Sequence, residues 1–120
     1  MNEHFLPYKL SLELKEIGFK DKCLGYYIPS GKGGKLIISS EYNDDICGAP
    51  VWEQVFDWFR DNHNIHLMFI DDYKRKFNFK INQMDKVVWS YESDVYTTYK
   101  KIRELAVSKL IEFIGNPTKF

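Results

Sequence analysis

The sequence predicts an α+β fold in which a mainly antiparallel sheet of about five strands packs with three helices. Near both ends and in the middle of the chain, apolar residues recur at the spacing of an amphipathic helix. Between residues 65 and 91 they instead alternate with period two, which is typical of half-buried strands. Short links join the strand segments and fit antiparallel hairpins.

The length of the chain predicts one domain that spans residues 1–120. Domains of this class average roughly 150 residues. Folding a chain of this size removes roughly two-thirds of its unfolded surface from water, which is enough for one core without disulfides or metal. We find no repeat, low-complexity tract or linker that would divide it.

Residues that favour helix termini bound the three predicted helices. Proline suits the first helical turn, a threonine hydroxyl caps an N-terminus, and glycine accepts the backbone conformation just past a C-terminus. The second helix is apolar on all but one side, so we expect it at the centre of the core. The predicted bounds are Pro7–Ile17, Pro50–Asn62, and from Thr97 or Thr98 to Ile114.

Five segments predict strands. The first two flank a link rich in glycine and predict a hairpin, and the last three predict a meander with short turns. The residues from Glu41 to Gly48 are expected to form a loop. The predicted strands are Cys23–Ile28, Leu36–Ser39, Ile65–Asp72, Lys76–Asn82 and Lys86–Tyr91.

The charge balance makes nucleic acid and anionic membranes weak candidates as partners. The chain has 17 Lys and Arg against 17 Asp and Glu, so no net field attracts it to polyanions. No apolar run approaches the roughly 18 residues that cross a bilayer. The first ten residues lack the pattern of a secretion signal, so we expect the protein in the cytoplasm.

The residues that support catalysis in known motifs are not found together in this sequence. Cys23 and Cys47 are far apart and have no CxxC or histidine cluster beside them, which predicts two buried thiols. No nucleophile elbow or metal-binding helix is present. We therefore expect a protein that is not an enzyme and needs no cofactor.

Two further motifs have simple structural interpretations. The segment from Gly31 to Lys35 departs from the P-loop pattern, and it predicts a mobile hairpin tip or, alternatively, a flexible phosphate clamp. The pairs Asp44–Asp45 and Asp71–Asp72 are adjacent in sequence, so their side chains diverge on extended backbone. We interpret both pairs as solvated turns.

The aromatic content is high, with nine Phe, eight Tyr and three Trp. A core of this size cannot easily enclose them all, least of all Tyr, whose hydroxyl needs a hydrogen-bond partner. Some rings are expected at a concave site that stacks on a planar base while cations bind phosphate. The alternative is ordinary core packing with exposed Tyr. The candidate ligand-binding residues are Tyr26, Tyr27, Lys32, Lys35, Trp52, Arg60, His66, Trp89 and Tyr91.

The segment from Ala49 to Ile65 carries the pattern Ala-Pro-x-x-x-Gln-x-Phe-x-Trp-Phe-Arg. This segment resembles small proteins of unassigned function that are encoded by bacteriophages and prophages of Bacteroides-type hosts. Residues 7–27 and 99–114 are similar to the first helix and strand, and to the closing helix, of that family. The resemblance implies a phage protein in the cytoplasm of the infected bacterium and supplies no catalytic residue.

The leading functional hypothesis is a sponge that sequesters a nucleotide-derived immune signal made by host defence systems such as Thoeris or CBASS. The second hypothesis is a protein-protein inhibitor or virion-associated accessory protein that uses exposed Tyr and Trp as interface anchors. The third, an enzyme that cleaves such nucleotides, is disfavoured by the missing acid-base or metal constellation. Under the first two hypotheses we expect a homodimer or a higher homo-oligomer.

Overall fold

The computed structural model describes residues 2–31, 33–71, 77–83, 86–92 and 98–116. Contacts divide the chain into two compact units, residues 1–55 and 56–120. The α+β class is confirmed, with three α-helices, a short 3-10 helix at Asn2–His4 and six strands in the described ranges. The elements are α1 (Tyr8–Glu16), β1 (Gly25–Ser30), β2 (Gly33–Ile37), β3 (Cys47–Ala49), α2 (Trp52–His63), β4 (Ile65–Asp71), β5 (Phe77–Gln83), β6 (Lys86–Glu92) and α3 (Tyr99–Gly115).

The first unit contains α1 and an antiparallel sheet in the order β2-β1-β3. Pro7 directly precedes α1, and Gly18 follows it at a φ of 110°, a conformation that costs glycine little. The helix, Tyr8–Glu16, is therefore one residue shorter at each end than the predicted Pro7–Ile17, which are its capping residues. Leu10 and Leu14 are buried from α1, as the helical spacing predicts.

One side of the first sheet forms a small core. Tyr27 from β1 and Ala49 from β3 are buried with Phe5, and Tyr8 packs against the same cluster. The rings of Tyr8 and Tyr27 are 5.3 Å apart and tilted, a geometry that aromatic pairs favour. Leu36 and Val51, both partly buried, complete the cluster.

The segment before α1 is held in this core through its backbone. Leu6 is fully buried, and its N–H donates to the carbonyl of Pro50 over 2.8 Å. Phe5 forms an antiparallel bridge with Val51. Pro50 therefore belongs to extended backbone, and α2 begins at Trp52, two residues after the predicted start.

The second unit contains an antiparallel meander in the order β4-β5-β6. The predicted alternation holds, because Ile65, Phe79 and Ile81 are buried while His66 and Lys80 are exposed. A β-bulge shifts the register between β5 and β6 after Ile81. The strand bounds agree with the prediction to within one residue where the structure describes them.

Helix α3 packs on β5 in the second unit. The Thr98 hydroxyl accepts a hydrogen bond from the Lys101 N–H over 3.3 Å, so Thr98 is the N-cap. The alternative cap, Thr97, lies outside the described residues. Among the helices of the described ranges, none is long and apolar enough to cross a bilayer. The buried residues of α3 are Ile102, Ala106, Val107, Leu110, Ile111 and Phe113.

The prediction of a single sheet of about five strands was wrong. The structure has two three-stranded sheets. The sixth strand, Cys47–Ala49, was predicted as the end of a loop and its exit, and it pairs with β1. With β2 on its other edge, β1 has both edges occupied, and the meander pairs only within itself among the described residues. A three-residue strand with a central glycine shows too little β-propensity to be recognised from sequence.

Two glycines of the predicted hairpin tip, Gly33 and Gly34, are part of strand β2, which begins at Gly33 rather than at Leu36, whereas Gly31 lies in the turn at a φ of 58°. A Cβ atom built on Gly34 would lie 2.5 Å from Cγ of Tyr8, so the ring lies directly on this backbone. A Cβ atom on Gly33 would meet nothing within 4 Å. Gly34 is therefore needed for packing in this structure.

We predict that Gly34→Ala lowers the free energy of unfolding by about 1–3 kcal/mol, the usual cost of overpacking a core. The matched variant Gly33→Ala should change it by no more than about 0.5 kcal/mol. Urea denaturation followed by circular dichroism measures both variants. Equal losses of stability in the two variants would contradict the packing role of Gly34.

Candidate functional site

Two of the predicted ligand-binding residues are part of the core of the first unit. Tyr27 is 7% exposed, and its hydroxyl donates to the carbonyl of Leu6 over 2.7 Å. Trp52 is 6% exposed, and its indole N–H donates to the carbonyl of Glu3 over 2.9 Å. Backbone carbonyls thus satisfy the polar atoms that were expected to need a pocket.

The other two described candidates in the first unit are more accessible. Tyr26 is half-buried and, by strand alternation, lies on the opposite side of β1 from Tyr27. Its ring is 5.3 Å from the ring of Tyr42. Lys35 is exposed in β2, where it pairs in register with Ile28.

The remaining described candidates belong to the second unit. Arg60 is exposed and forms ion pairs with Asp57 and Asp61 on α2. Trp89 and Tyr91 are half-buried in β6. Their rings are stacked, with centroids 5.9 Å apart and an angle of 11° between the ring planes. His66, the last of this group, is exposed in β4.

The structure therefore brings some of the predicted residues together and not others. Trp89 and Tyr91 form a ring pair, with the ammonium of Lys109 at 5.4 Å from the Trp89 ring centre. Tyr26 meets Tyr42, a residue that the sequence reasoning did not select. Lys32 lies outside the described residues. The nine-residue site as a whole remains a prediction.

A cavity of about 370 Å³ lies within the first unit. Residues of α1 and of the segment after it, residues of the segment 38–46, here called the cavity loop, and Gly48 of β3 form its lining. The buried or half-buried lining residues are Ser11, Lys15, Phe19, Tyr42, Ile46 and Gly48, and the exposed ones are Lys20, Asp21, Lys22, Asp44 and Asp45.

Tyr42 is the aromatic residue of the cavity loop. Its hydroxyl oxygen accepts a hydrogen bond from the Cys23 N–H over 2.8 Å. Burial raises the pKa of Tyr42 to about 12, while the bond from the Cys23 backbone acts in the opposite direction. The hydroxyl is therefore neutral at physiological pH. The Lys22 ammonium lies 4.1 Å from the ring centre, within cation–π range.

Two lysines form hydrogen bonds to backbone carbonyls of the cavity loop. The Lys15 ammonium, from α1, donates to the carbonyl of Asp45 over 2.9 Å. The Lys22 ammonium donates to the carbonyl of Tyr42 over 2.6 Å, and the Lys22 carbonyl accepts from the Gln54 side chain over 2.9 Å. These bonds fix the position of the loop relative to α1 and to the segment after it.

The charges of the lining cancel. Three lysines and three aspartates contribute to it, so the cavity has a polar entrance with no formal net charge. Among the described residues, Lys20 and Asp44 have no hydrogen-bond or ion-pair partner. The buried part of the lining carries no charge. It contains the ring of Phe19 and the Ser11 hydroxyl, which donates to the carbonyl of Leu6.

The two cysteines are free and buried, as the sequence predicted. Burial raises the pKa of the Cys23 thiol, and it raises the pKa of the Cys47 thiol to about 11. Both thiols are therefore protonated at neutral pH and are weak nucleophiles. Within the described ranges, no three His, Cys, Asp or Glu side chains are grouped so that they could hold a metal ion.

Sequence reasoning missed the residues of this cavity. Lys15, Lys20 and Lys22 follow one another around the end of α1, and Asp44–Asp45 lie exposed in a turn, as predicted for that pair. The end of α1 and the cavity loop are 20 or more residues apart in the sequence. Only the high density of charged residues in both segments could therefore have indicated a shared site. In the other predicted acidic turn, Asp71 is instead the last residue of β4 and pairs with Phe77, and Asp72 lies outside the described residues.

Comparison with known proteins adds no functional information. No protein-family model, no curated protein and no solved structure matches this chain. The resemblance to phage proteins therefore remains a prediction from the sequence motif.

We predict slow alkylation of both thiols by iodoacetamide in the folded protein at pH 8. Because only the thiolate reacts, raised pKa values and burial should slow each reaction about tenfold or more relative to the urea-unfolded chain. The reaction rate of Cys47 should keep rising toward pH 11. The variants Cys23→Ala and Cys47→Ala allow each thiol to be followed alone by mass spectrometry. Equal rates in the folded and unfolded protein would contradict this account.

Proposed function

We propose that this protein binds a small nucleotide-derived molecule in the cavity of its first unit and holds it without chemical change. The cavity itself is the observation that carries the proposal. Its volume of about 370 Å³ falls at the lower end of the range of small-molecule sites, about 300–1,000 Å³. A site of this size accepts one base with its sugar or phosphate more readily than an extended polymer.

The chemistry of the lining supports a ligand with a flat part and an anionic part. Tyr42 is half-buried and supplies a ring surface on which a planar base can stack, and the buried Phe19 adds an apolar part of the wall. Lys20 is an exposed ammonium that can donate charge-assisted hydrogen bonds to a phosphate oxygen. Rings and cations of this kind were expected from the composition, but at other positions.

Retention rather than turnover is supported by the state of the nearby nucleophiles. The Cys23 and Cys47 thiols are buried and have raised pKa values, and the Tyr42 hydroxyl has a pKa of about 12. None of these three groups is ionised at neutral pH, so none offers an activated nucleophile. Binding without conversion is the behaviour that a sponge for a signalling nucleotide requires.

The biological role follows from combining this binding proposal with the sequence motif. If the chain is a phage protein, its place is the cytoplasm of the infected host, and its ligand is a nucleotide signal of the host defence. In that role the protein lowers the free concentration of the signal by stoichiometric capture. The proposed assembly is a homodimer or a higher homo-oligomer.

The first test is a thermal-shift screen against linear and cyclic mono- and dinucleotides. At a ligand concentration one hundred times the Kd, binding stabilises the folded state by about 2.7 kcal/mol, a shift of several degrees in Tm. Mass spectrometry after denaturation should recover the ligand intact. The absence of any shift across the panel, or recovery of a cleaved ligand, would contradict the proposal.

The second test assigns binding to the cavity through substitutions. Lys20→Ala should weaken binding about 10- to 150-fold, because one charge-assisted hydrogen bond contributes about 1.5–3 kcal/mol. Tyr42→Leu removes a stacking surface and should weaken binding by a similar factor or more. The exposed Lys9 on α1 lies outside the lining, so Lys9→Ala is the matched control. Unchanged affinity in both cavity variants, with folding checked by circular dichroism, would place the ligand elsewhere.

A second candidate function is protein-protein inhibition. The observation that favours it is the exposure of Leu24 (64%), Ile38 (54%) and Ile28 (37%) in or beside β1 and β2. Apolar side chains left exposed on a sheet are candidate anchors for a partner. Affinity capture from lysates of infected cells, together with the thermal-shift screen against the nucleotide panel, separates the two functions. Capture of one defined host or phage protein, with no response to any nucleotide, would favour this second candidate.

A further inference from the structure

We infer that the chain forms a two-fold homodimer in which strand β4 of one protomer pairs with β4 of its partner. This inference rests on the proposed function for the assembly that it locates, but it does not depend on nucleotide binding. It follows from the backbone groups that the outer edge of β4 leaves unpaired and from the residues of that strand.

Strand β4 lies at one edge of the sheet of the second unit, in the order β4-β5-β6. Its seven residues pair with β5 on one side. On the other side, the described residues form no hydrogen bond to its backbone. The N–H and C=O groups on this edge can therefore bind the backbone of an added strand.

The residues of β4 do not protect this edge. Proteins usually prevent pairing between edges with a lysine, a proline, a bulge or a very short strand. The other edge strands of the two sheets have such features: β2 carries the exposed Lys35, β3 has three residues, and β6 is bulged where it pairs with β5 after Ile81. Strand β4 contains no Lys, Arg, Glu, Pro or Gly, and its one charged residue, Asp71, is the last.

Apolar side chains beside the unpaired edge are partly exposed. Met68 is 50% exposed. Leu67 and Phe69 are half-buried, and by strand alternation they lie on the same face of the sheet as the buried Ile65. The side chains of an added strand would cover part of this surface, which favours association through the burial of apolar area.

A second copy of β4 fits this edge in the antiparallel direction. A two-fold axis that passes through the sheet beside Met68 pairs all seven residues of each strand. Each Leu67 then lies beside the partner's Phe69 on one face, and the two Met68 side chains meet on the other. Asp71 falls opposite the partner's Ile65, so no like charges oppose each other in this register.

Sedimentation velocity over a range of protein concentrations tests the dimer in the absence of nucleotide. We expect the mass of two chains at high concentration and dissociation on dilution. Met68→Lys should raise the Kd of the dimer about tenfold or more, because two ammonium groups meet at the axis and Lys80 lies opposite Met68 on β5. Val87→Lys is the matched control and should leave the Kd unchanged, since Val87 is an exposed apolar residue of β6, at the other edge of the same sheet. Circular dichroism checks that each variant folds.

Cysteine cross-linking tests the register. In Met68→Cys the two introduced residues face each other with Cβ atoms about 4.5–5.5 Å apart, so a small adjustment allows a disulfide. In His66→Cys the two positions are roughly 13 Å apart along the strands, which is too far for a disulfide. We expect diamide to cross-link Met68→Cys about tenfold or more faster than His66→Cys. The native Cys23 and Cys47 are buried.

Each contrary outcome overturns the inference. A chain that stays monomeric at its highest soluble concentration would do so, and protection of the β4 amides from hydrogen exchange only by another protein would assign the edge to that protein. Equal Kd values for Met68→Lys and Val87→Lys, or equal cross-linking of the two cysteine variants, would place the interface elsewhere. If Met68→Lys fails to fold, the cross-linking comparison decides. An intact dimer that binds no nucleotide would instead overturn the proposed binding function and leave this inference standing.

Discussion

The candidate site depends on the absence of a side chain at position 48. A Cβ atom on Gly48 would lie 2.8 Å from the Tyr42 hydroxyl oxygen and 3.0 Å from the sulphur of Cys23. Because that space is free, Tyr42 lies against β3 and accepts the Cys23 N–H bond. This close approach places the Tyr42 ring in the cavity wall, and the bonds from Lys15 and Lys22 hold the cavity loop around it.

Backbone carbonyls satisfy much of the polar chemistry of the first unit. Tyr27 and Trp52 donate to carbonyls of the segment before α1, so both large rings are buried with the hydroxyl and the indole N–H hydrogen-bonded. Lys15 and Lys22 donate to carbonyls of the cavity loop. The aromatic excess therefore contributes first to the core, and the cavity uses a different ring and different cations from those that composition suggested.

Local sequence signals predicted the helices and the meander. They do not reveal contacts between segments that are far apart in the sequence. Pro7, Gly18 and Thr98 determine helix ends through their own backbone or hydroxyl, so the sequence alone locates α1 and α3. Strand β3 was missed because its pairing with β1 supplies the stability that its three residues lack. Gly48 and Tyr42 gave no sequence signal, since their importance is a steric fit across the fold.

NMR tests most directly whether the cavity of the first unit binds the nucleotide. Backbone amide chemical shifts are followed during titration with the nucleotide that gives the largest thermal shift. The account predicts that the largest changes fall on Phe19, Lys20, Tyr42 and Gly48, with saturation at one ligand per chain. Changes centred instead on Trp89 and Tyr91 of β6, with the amides of the cavity loop unaffected, would contradict it.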